Sequence, residues 1–144
     1  MGTIKSVLRK VQAINIPEIA RESFVSVETD YAEENKKQLF EGFDKDGSKL
    51  KQYRSNKYAR VKNEMNPLPG LGNPDFYVTG AFTNSRHVTI NGNVIETTYS
   101  DEKAARLLER DPNISGLGGS FKLEFINEKL KPSFFAEVRK RTGL

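Results

Sequence analysis

The chain contains no cysteine and a single histidine, His87. The first absence excludes disulfides and thiolate metal sites. The second excludes a His-rich zinc centre and makes any Ser–His triad depend on His87 itself. No run approaches the roughly 20 apolar residues that span a bilayer, and the N-terminus lacks the apolar core of a secretory signal. A soluble protein made in a cytoplasm, without membrane contact, is the expectation. Apolar residues are also scarce, at 36% against a usual ~45–50%. At 144 residues the simplest organisation is one domain, with about 68% of the unfolded chain's surface buried on folding. That composition, with 29% charged residues, predicts a thin core, an extended shape, or surface reserved for partners.

A net charge of +4 and a pI near 9.3 raise the question of nucleic acid, because positive charge brings non-specific phosphate affinity. Acidic and basic residues are closely mixed along most of the chain. Two segments are locally basic: 45–62, with Lys45, Lys49, Lys51, Arg54, Lys57, Arg60 and Lys62 against Asp44 and Asp46, and the end, Arg139-Lys140-Arg141. A solvated face for the first and a helix C-terminus that favours cations for the second are the favoured readings; a phosphate-contacting patch is the alternative.

Periodicity predicts an α+β fold. It has a long N-terminal helix, a small antiparallel β-sheet built on a hairpin, C-terminal helices and long Pro/Gly-rich loops. Three segments follow: a helical N-terminal part (1–41), a loop-rich connector (42–75) and a hairpin with helices (76–144). Ile4, Val7, Leu8, Val11 and Ile14 form one apolar stripe behind Thr3 as N-cap. After Pro17 a helix runs to about Phe40, with Ala20, Phe24, Val27, Tyr31 and Leu39 inward and Gly42 as terminator. Ser55 caps a short helix carrying Tyr58, Val61 and Met65. Residues 67–74 hold three prolines and two glycines and read as a loop. Residues 75–86 read as a short helix. Ile90-Asn91-Gly92-Asn93-Val94 reads as a hairpin with a type I′ turn. Ser100 is the expected N-cap of a helix over 101–110, whose inner face is Ala104, Ala105, Leu107 and Leu108. Ser120 is the expected cap of a segment holding Phe121, Leu123, Phe125 and Ile126. Pro132 then starts a last helix that closes at Gly143. Two strands alone seldom hold a domain together, so a further strand is expected from the connector or an adjacent subunit.

The motifs offer no catalytic, cofactor-binding or metal-ligating set. Asp44-x-Asp46-Gly47 begins like a calcium loop, but the sixth and twelfth positions are Lys49 and Ser55 rather than Gly and Glu; a polar turn is the reading. Gly70-Leu71-Gly72 and Gly116-Leu117-Gly118-Gly119 lack the Gly-Lys-Ser/Thr of a phosphate loop. Their glycines read as tight bends or places of close backbone approach. His87 reads as a surface or rim residue. The carboxylate pairs Glu33/Glu34 and Asp101/Glu102 fall in predicted helices, where solvation and the helix dipole explain them. Tyr53 and Tyr58, interleaved with Arg54, Lys57 and Arg60, are the best case for nucleic acid, through stacking plus phosphate contacts, but a loop-and-helix segment with snorkelling basic side chains is the favoured reading.

Thr79-Gly80-Ala81-Phe82-Thr83-Asn84-Ser85, set just ahead of the hairpin, resembles the Thr-Gly-x-hydrophobic-x-x-Ser core of tail-completion and head–tail connector (neck) proteins of tailed bacteriophages. The order of an N-terminal helical segment, this signature, a hairpin, a helix and a closing Pro132-Ser133-Phe134-Phe135 segment extends the resemblance over most of the chain. PDFYVTGAF, ISGLGG and the ending RKRTGL are similar to members from (crAss-like) phages of Bacteroides-type hosts. The resemblance implies a virion protein that is not an enzyme and needs no cofactor. It implies a homo-oligomeric ring, six- or twelve-fold, whose partners are other neck, portal-adjacent or tail proteins, with weak contact to packaged DNA. Segments 42–54 and 66–75 are expected to make the contacts between subunits or rings. The alternative is a basic nucleic-acid-binding module.

Overall fold

The computed structural model describes residues 3–144 and is an α+β fold. Its elements are α1 (Ile4–Gln12), α2 (Ile16–Phe40), α3 (Asn56–Met65), α4 (Ala81–Asn84), β1 (Arg86–Asn91), β2 (Val94–Tyr99), α5 (Ala104–Arg110), α6 (Gly119–Phe125), a π-helical stretch (Ile126–Leu130) and α7 (Lys131–Thr142). Among the described residues the sheet is two-stranded, antiparallel, with Arg86 opposite Tyr99 and Asn91 opposite Val94. The further strand is reduced to one isolated bridge, Phe43 to Lys49, within the connector. The sheet persists with two strands because β1 lies on α2, burying Val88 and Arg86.

α2 organises everything else. Asn15 caps it by accepting from the Glu18 amide, and Pro17 sits in its first turn. It ends in a Schellman motif, where the Gly42 amide donates to Leu39 and the Phe43 amide to Gln38. Gly42 supplies the positive φ (84°) that the motif needs. Two apolar clusters share this helix. Toward its N-terminal half, Phe24, Val27 and Tyr31 meet Val88, Leu117, Phe121 and Phe125. The rings of Phe24, Tyr31 and Phe125 touch edge-to-face, with Tyr31 and Phe125 centroids 5.3 Å apart. Toward its C-terminus, Leu39 packs with Leu50, Phe82, Ala104 and Ile114. Ala20, expected inward, is exposed, and Ile19 takes its place in the interior.

The same helix also buries polar groups. Asn35 donates to the carbonyls of Ile114 (3.1 Å) and Gly116 (2.7 Å). Gln38 donates to Gly116 and accepts from the Gly118 amide, both at 2.9 Å. These two amides hold the 114–118 turn against α2, satisfying buried backbone groups that water cannot reach. Gly118 is the close-approach glycine: a Cβ there would lie 2.0 Å from the Lys45 carbonyl oxygen.

Several expectations are corrected. α6, the π-helical stretch and α7 form one continuous helix, since the junction residues Phe125, Ile126, Leu130 and Lys131 are all right-handed helical. Pro132 therefore lies inside a helix. The wider π turns just before it accommodate its missing N–H and the clash with the carbonyl four residues back. Gly118, not Ser120, occupies the N-cap position of α6. Residues 75–80 are irregular, and only Ala81–Asn84 is helical. Positive φ in the hairpin turn is confined to Gly92 (61°), which is the type II′ pattern rather than type I′. α5 begins at Ala104, because the Asp101 carboxylate folds onto the Lys103 amide (2.7 Å) and makes an Asx turn in place of a Ser100 cap. Ala105 is exposed; Ala104 is buried and Leu107 and Leu108 are half-buried.

Candidate functional site

α3 is a helix turned against its own pattern. Ser55 caps it as its spacing predicts, accepting from the Tyr58 amide at 3.2 Å. Yet Tyr58, Val61 and Met65, the apolar positions, are 44%, 48% and 56% exposed, while Lys62 is buried. The reason lies across from it. The Lys62 ammonium meets the Asp75 carboxylate at 2.8 Å, with side chains only 5% and 2% exposed, and also donates to the Tyr77 carbonyl. Asp75 accepts in addition from Asn66 Nδ2 (3.1 Å) and the Tyr77 amide (3.0 Å). Asn66 donates to the Phe40 carbonyl as well (2.7 Å), tying this network to the end of α2. Each charge is thus compensated by a partner and by hydrogen bonds, as burial demands.

Above this pair opens a groove of about 710 Å³. Residues 51–58, the PDFYVTGAF segment and α5 form its walls. Phe76 enters it at φ 54°, the one non-glycine residue with positive φ among those described. Its ring packs on Phe82 (5.8 Å), which stacks on Tyr99 (4.7 Å, 9° between planes). Tyr53 and Tyr58 meet edge-to-face at 4.9 Å. The Arg110 guanidinium lies 5.9 Å from the Tyr53 ring and 5.8 Å from the Phe76 ring, within cation–π reach. Burial, reinforced by the Asp75 carboxylate, holds the Tyr53 hydroxyl well above the usual phenol range. It therefore stays protonated at physiological pH.

The rim is positively charged. Lys51, Arg54, Lys103, Arg106 and Arg110 face the groove with Asp101 as the rim carboxylate. Arg110 is paired with Asp111 (2.8 Å), whereas among the described residues Lys51, Arg54, Lys103 and Arg106 enter no ion pair. Some cations elsewhere are matched, Lys37 with Glu34 and Glu124, Lys129 with Asp30, and Arg141 with Glu18 and Glu22, while others, such as Lys45, Lys57, Arg60 and Lys122, enter no ion pair among the described residues. What sets the groove apart is that four unpaired cations converge on one concave, aromatic-lined surface.

Of the residues singled out from sequence, Tyr53, Arg54 and Tyr58 come together here; Lys57 and Arg60 are exposed and do not line the groove. His87 is exposed on β1. Asp44 makes a turn, accepting from the Asp46 and Ser48 amides at 2.9 Å. The 66–75 segment is fastened rather than projecting. Pro69, Pro74 and Asp75 are buried, and the Tyr53 amide donates to Gly72 (2.8 Å). Only Leu68 and Leu71, 62% and 59% exposed, reach outward from it. Sequence reading missed Lys103, Arg106 and Arg110, although their spacing of three and four places them on one helix face.

Comparisons with family models, with curated proteins and with solved structures find no match. Among the described residues no helix is long and apolar enough to cross a membrane.

Proposed function

We propose that this chain is a structural virion subunit of a tailed bacteriophage, one copy in a six- or twelve-fold ring of the neck or tail-completion complex, with no catalytic role. The Thr79–Ser85 signature ahead of the hairpin supports the class. The observation that carries the assembly reading is apolar surface on two helices that the chain itself does not cover. On α1, Ile4, Leu8 and Val11 share one face and are 81%, 52% and 45% exposed. On α3 the exposed positions are Tyr58, Val61 and Met65, with Leu68 just beyond. α1 leads into the start of α2 and α3 is tied to its end, so the two faces are separated by a helix of 25 residues, about 37 Å at 1.5 Å per residue. A ring needs this arrangement, because each subunit presents one face to a different face of the next copy. Quantitative mass spectrometry of purified particles tests the reading: a copy number matching a six- or twelve-fold ring supports it, and absence from particles refutes it.

The unpaired rim cations favour the second reading, a nucleic-acid-binding module. A salt titration of binding separates the two, since phosphate contacts give a steep fall of log affinity with log salt.

A further inference from the structure

Three candidates stand out beyond the ring itself: the apolar face of α1, the buried Arg86, and the groove. The α1 face carries no charge pattern that selects an occupant. Arg86 is consumed internally, donating to the Tyr99 hydroxyl (3.0 Å) and reaching the Ala32 carbonyl. The groove is different, because its charge and its shape both point to a ligand.

We infer that the groove between α3, residues 75–80 and α5 is a docking site for an acidic peptide segment of a partner protein, with one apolar side chain inserted and flanking carboxylates on the rim. Charge complementarity carries the sign. Arg54 and Arg106 stand on separate walls without carboxylate partners, and Lys103 lies one helical turn before Arg106. Arginine forks suit carboxylates bidentately. The interior carries the apolar part: Tyr58 and Val78 are 44% and 57% exposed at its mouth, and tyrosine and arginine are the side chains that anchor protein interfaces. The chain's own uncovered helix α1 is not the occupant, because its sequence, IKSVLRKVQ, is basic and would meet like charge.

Nucleic acid fits less well. A duplex is too wide to enter a cavity of this size, and single strands bind by stacking on open ring faces. Here the rings are largely taken. Tyr53 is met edge-to-face by Tyr58 and approached by Arg110, and Phe76 by Phe82 and Arg110. Of the lining rings only Tyr58 is exposed, which is too few to stack a run of bases. The inference does not require the chain to be a collar subunit, so particle composition and peptide binding succeed or fail separately.

The test is selection from a displayed library of short random peptides on the immobilised full chain, in parallel with Arg54→Glu/Arg106→Glu and with Tyr58→Ser. All three positions are solvent-facing, and unchanged far-UV circular dichroism melts verify that the variants fold. Peptides enriched on the wild type are expected to place Asp or Glu on both sides of an aromatic or branched aliphatic residue. Fluorescence anisotropy of an enriched peptide is expected to show about tenfold weaker binding to the charge-reversal variant, a loss equivalent to one 1.4 kcal/mol step, and weaker binding to Tyr58→Ser. Three results would overturn the inference: no acidic enrichment relative to the charge-reversed variant; oligothymidylate binding the groove more tightly than the peptides at the same salt; or self-association that the same substitutions abolish, which would make a second copy the occupant.

Discussion

Replacing Lys62 by Met keeps the aliphatic stem and removes only the ammonium, so it isolates the charge that meets Asp75. The pair is 2.8 Å apart with side chains 5% and 2% exposed. Removing one partner of such a pair leaves the other charge buried without compensation, a loss of about 3–5 kcal/mol. Whole-domain stabilities are about 5–15 kcal/mol, so Lys62→Met alone is expected to remove about a fifth or more of the total. Asp75→Asn keeps an acceptor for only one of the Asn66 and Tyr77 donors, which bond different carboxylate oxygens, and strands the ammonium, so it is expected to be at least as harmful. In the double variant no charge is stranded. The coupling energy is therefore expected at about 2–3 kcal/mol, the upper end for residues in one network. Urea titrations followed by far-UV circular dichroism give the four stabilities, with unchanged m-values showing that the unfolded reference is the same. Single variants that lose less than about 0.5 kcal/mol, or that add without coupling, would refute the reasoning. Either result would mean that the pair is hydrated and does not hold the groove floor.

Gly118→Ala is expected to lose about 3 kcal/mol or more on chemical denaturation. Its Cβ would sit 2.0 Å from the Lys45 carbonyl oxygen and 2.4 Å from the carbonyl carbon, and a backbone cannot swing aside as a side chain can; wild-type stability would refute the close approach. Glu34 has its carboxyl pushed above the usual range by burial, with Lys37 opposing and Glu124 adding to the rise. The folded state thus holds this proton more tightly than the unfolded state, and the stability it contributes is lost as pH rises through the raised range. Glu34→Gln is accordingly expected to melt above wild type at neutral pH, with the gain vanishing below the ordinary Glu range of about pH 4. A destabilised or pH-independent variant would contradict it.

The long second helix, the hairpin and the α+β class were legible because each rests on local signals: helical spacing around Phe24, Val27 and Tyr31, and an Asn91-Gly92-Asn93 turn sequence between β-branched runs, although the turn itself is Gly92-Asn93. What was not legible came from partners distant in sequence. Asn35 and Gln38 look like ordinary polar positions of a solvated face until the 114–118 turn brings carbonyls to them. Lys62 reads as an exposed cation, and Asp75, thirteen residues later, reverses that by supplying its counter-charge. The face of α3 that is buried carries Ala59 and Lys62, with Asn66 just beyond, rather than Tyr58, Val61 and Met65, so the apolar pattern does not mark the inward face. The groove divides the same way. Tyr53, Arg54 and Tyr58 were adjacent and visible, whereas α5 contributes its cations across about fifty residues of chain, a distance that charge counting in a local window does not bridge. Pro132 marks a helix start by the usual rule, and only the π-helical stretch before it explains why the helix runs on.

The most direct examination of the proposed collar assignment is cryo-electron microscopy of tailed-phage particles purified from a lysate that contains this chain. The account predicts a six- or twelve-fold ring between portal and tail into which this fold places side chain by side chain, with Leu8 and Val11 of one copy covered by a neighbour. Particles whose neck is fully accounted for by other polypeptides would contradict it.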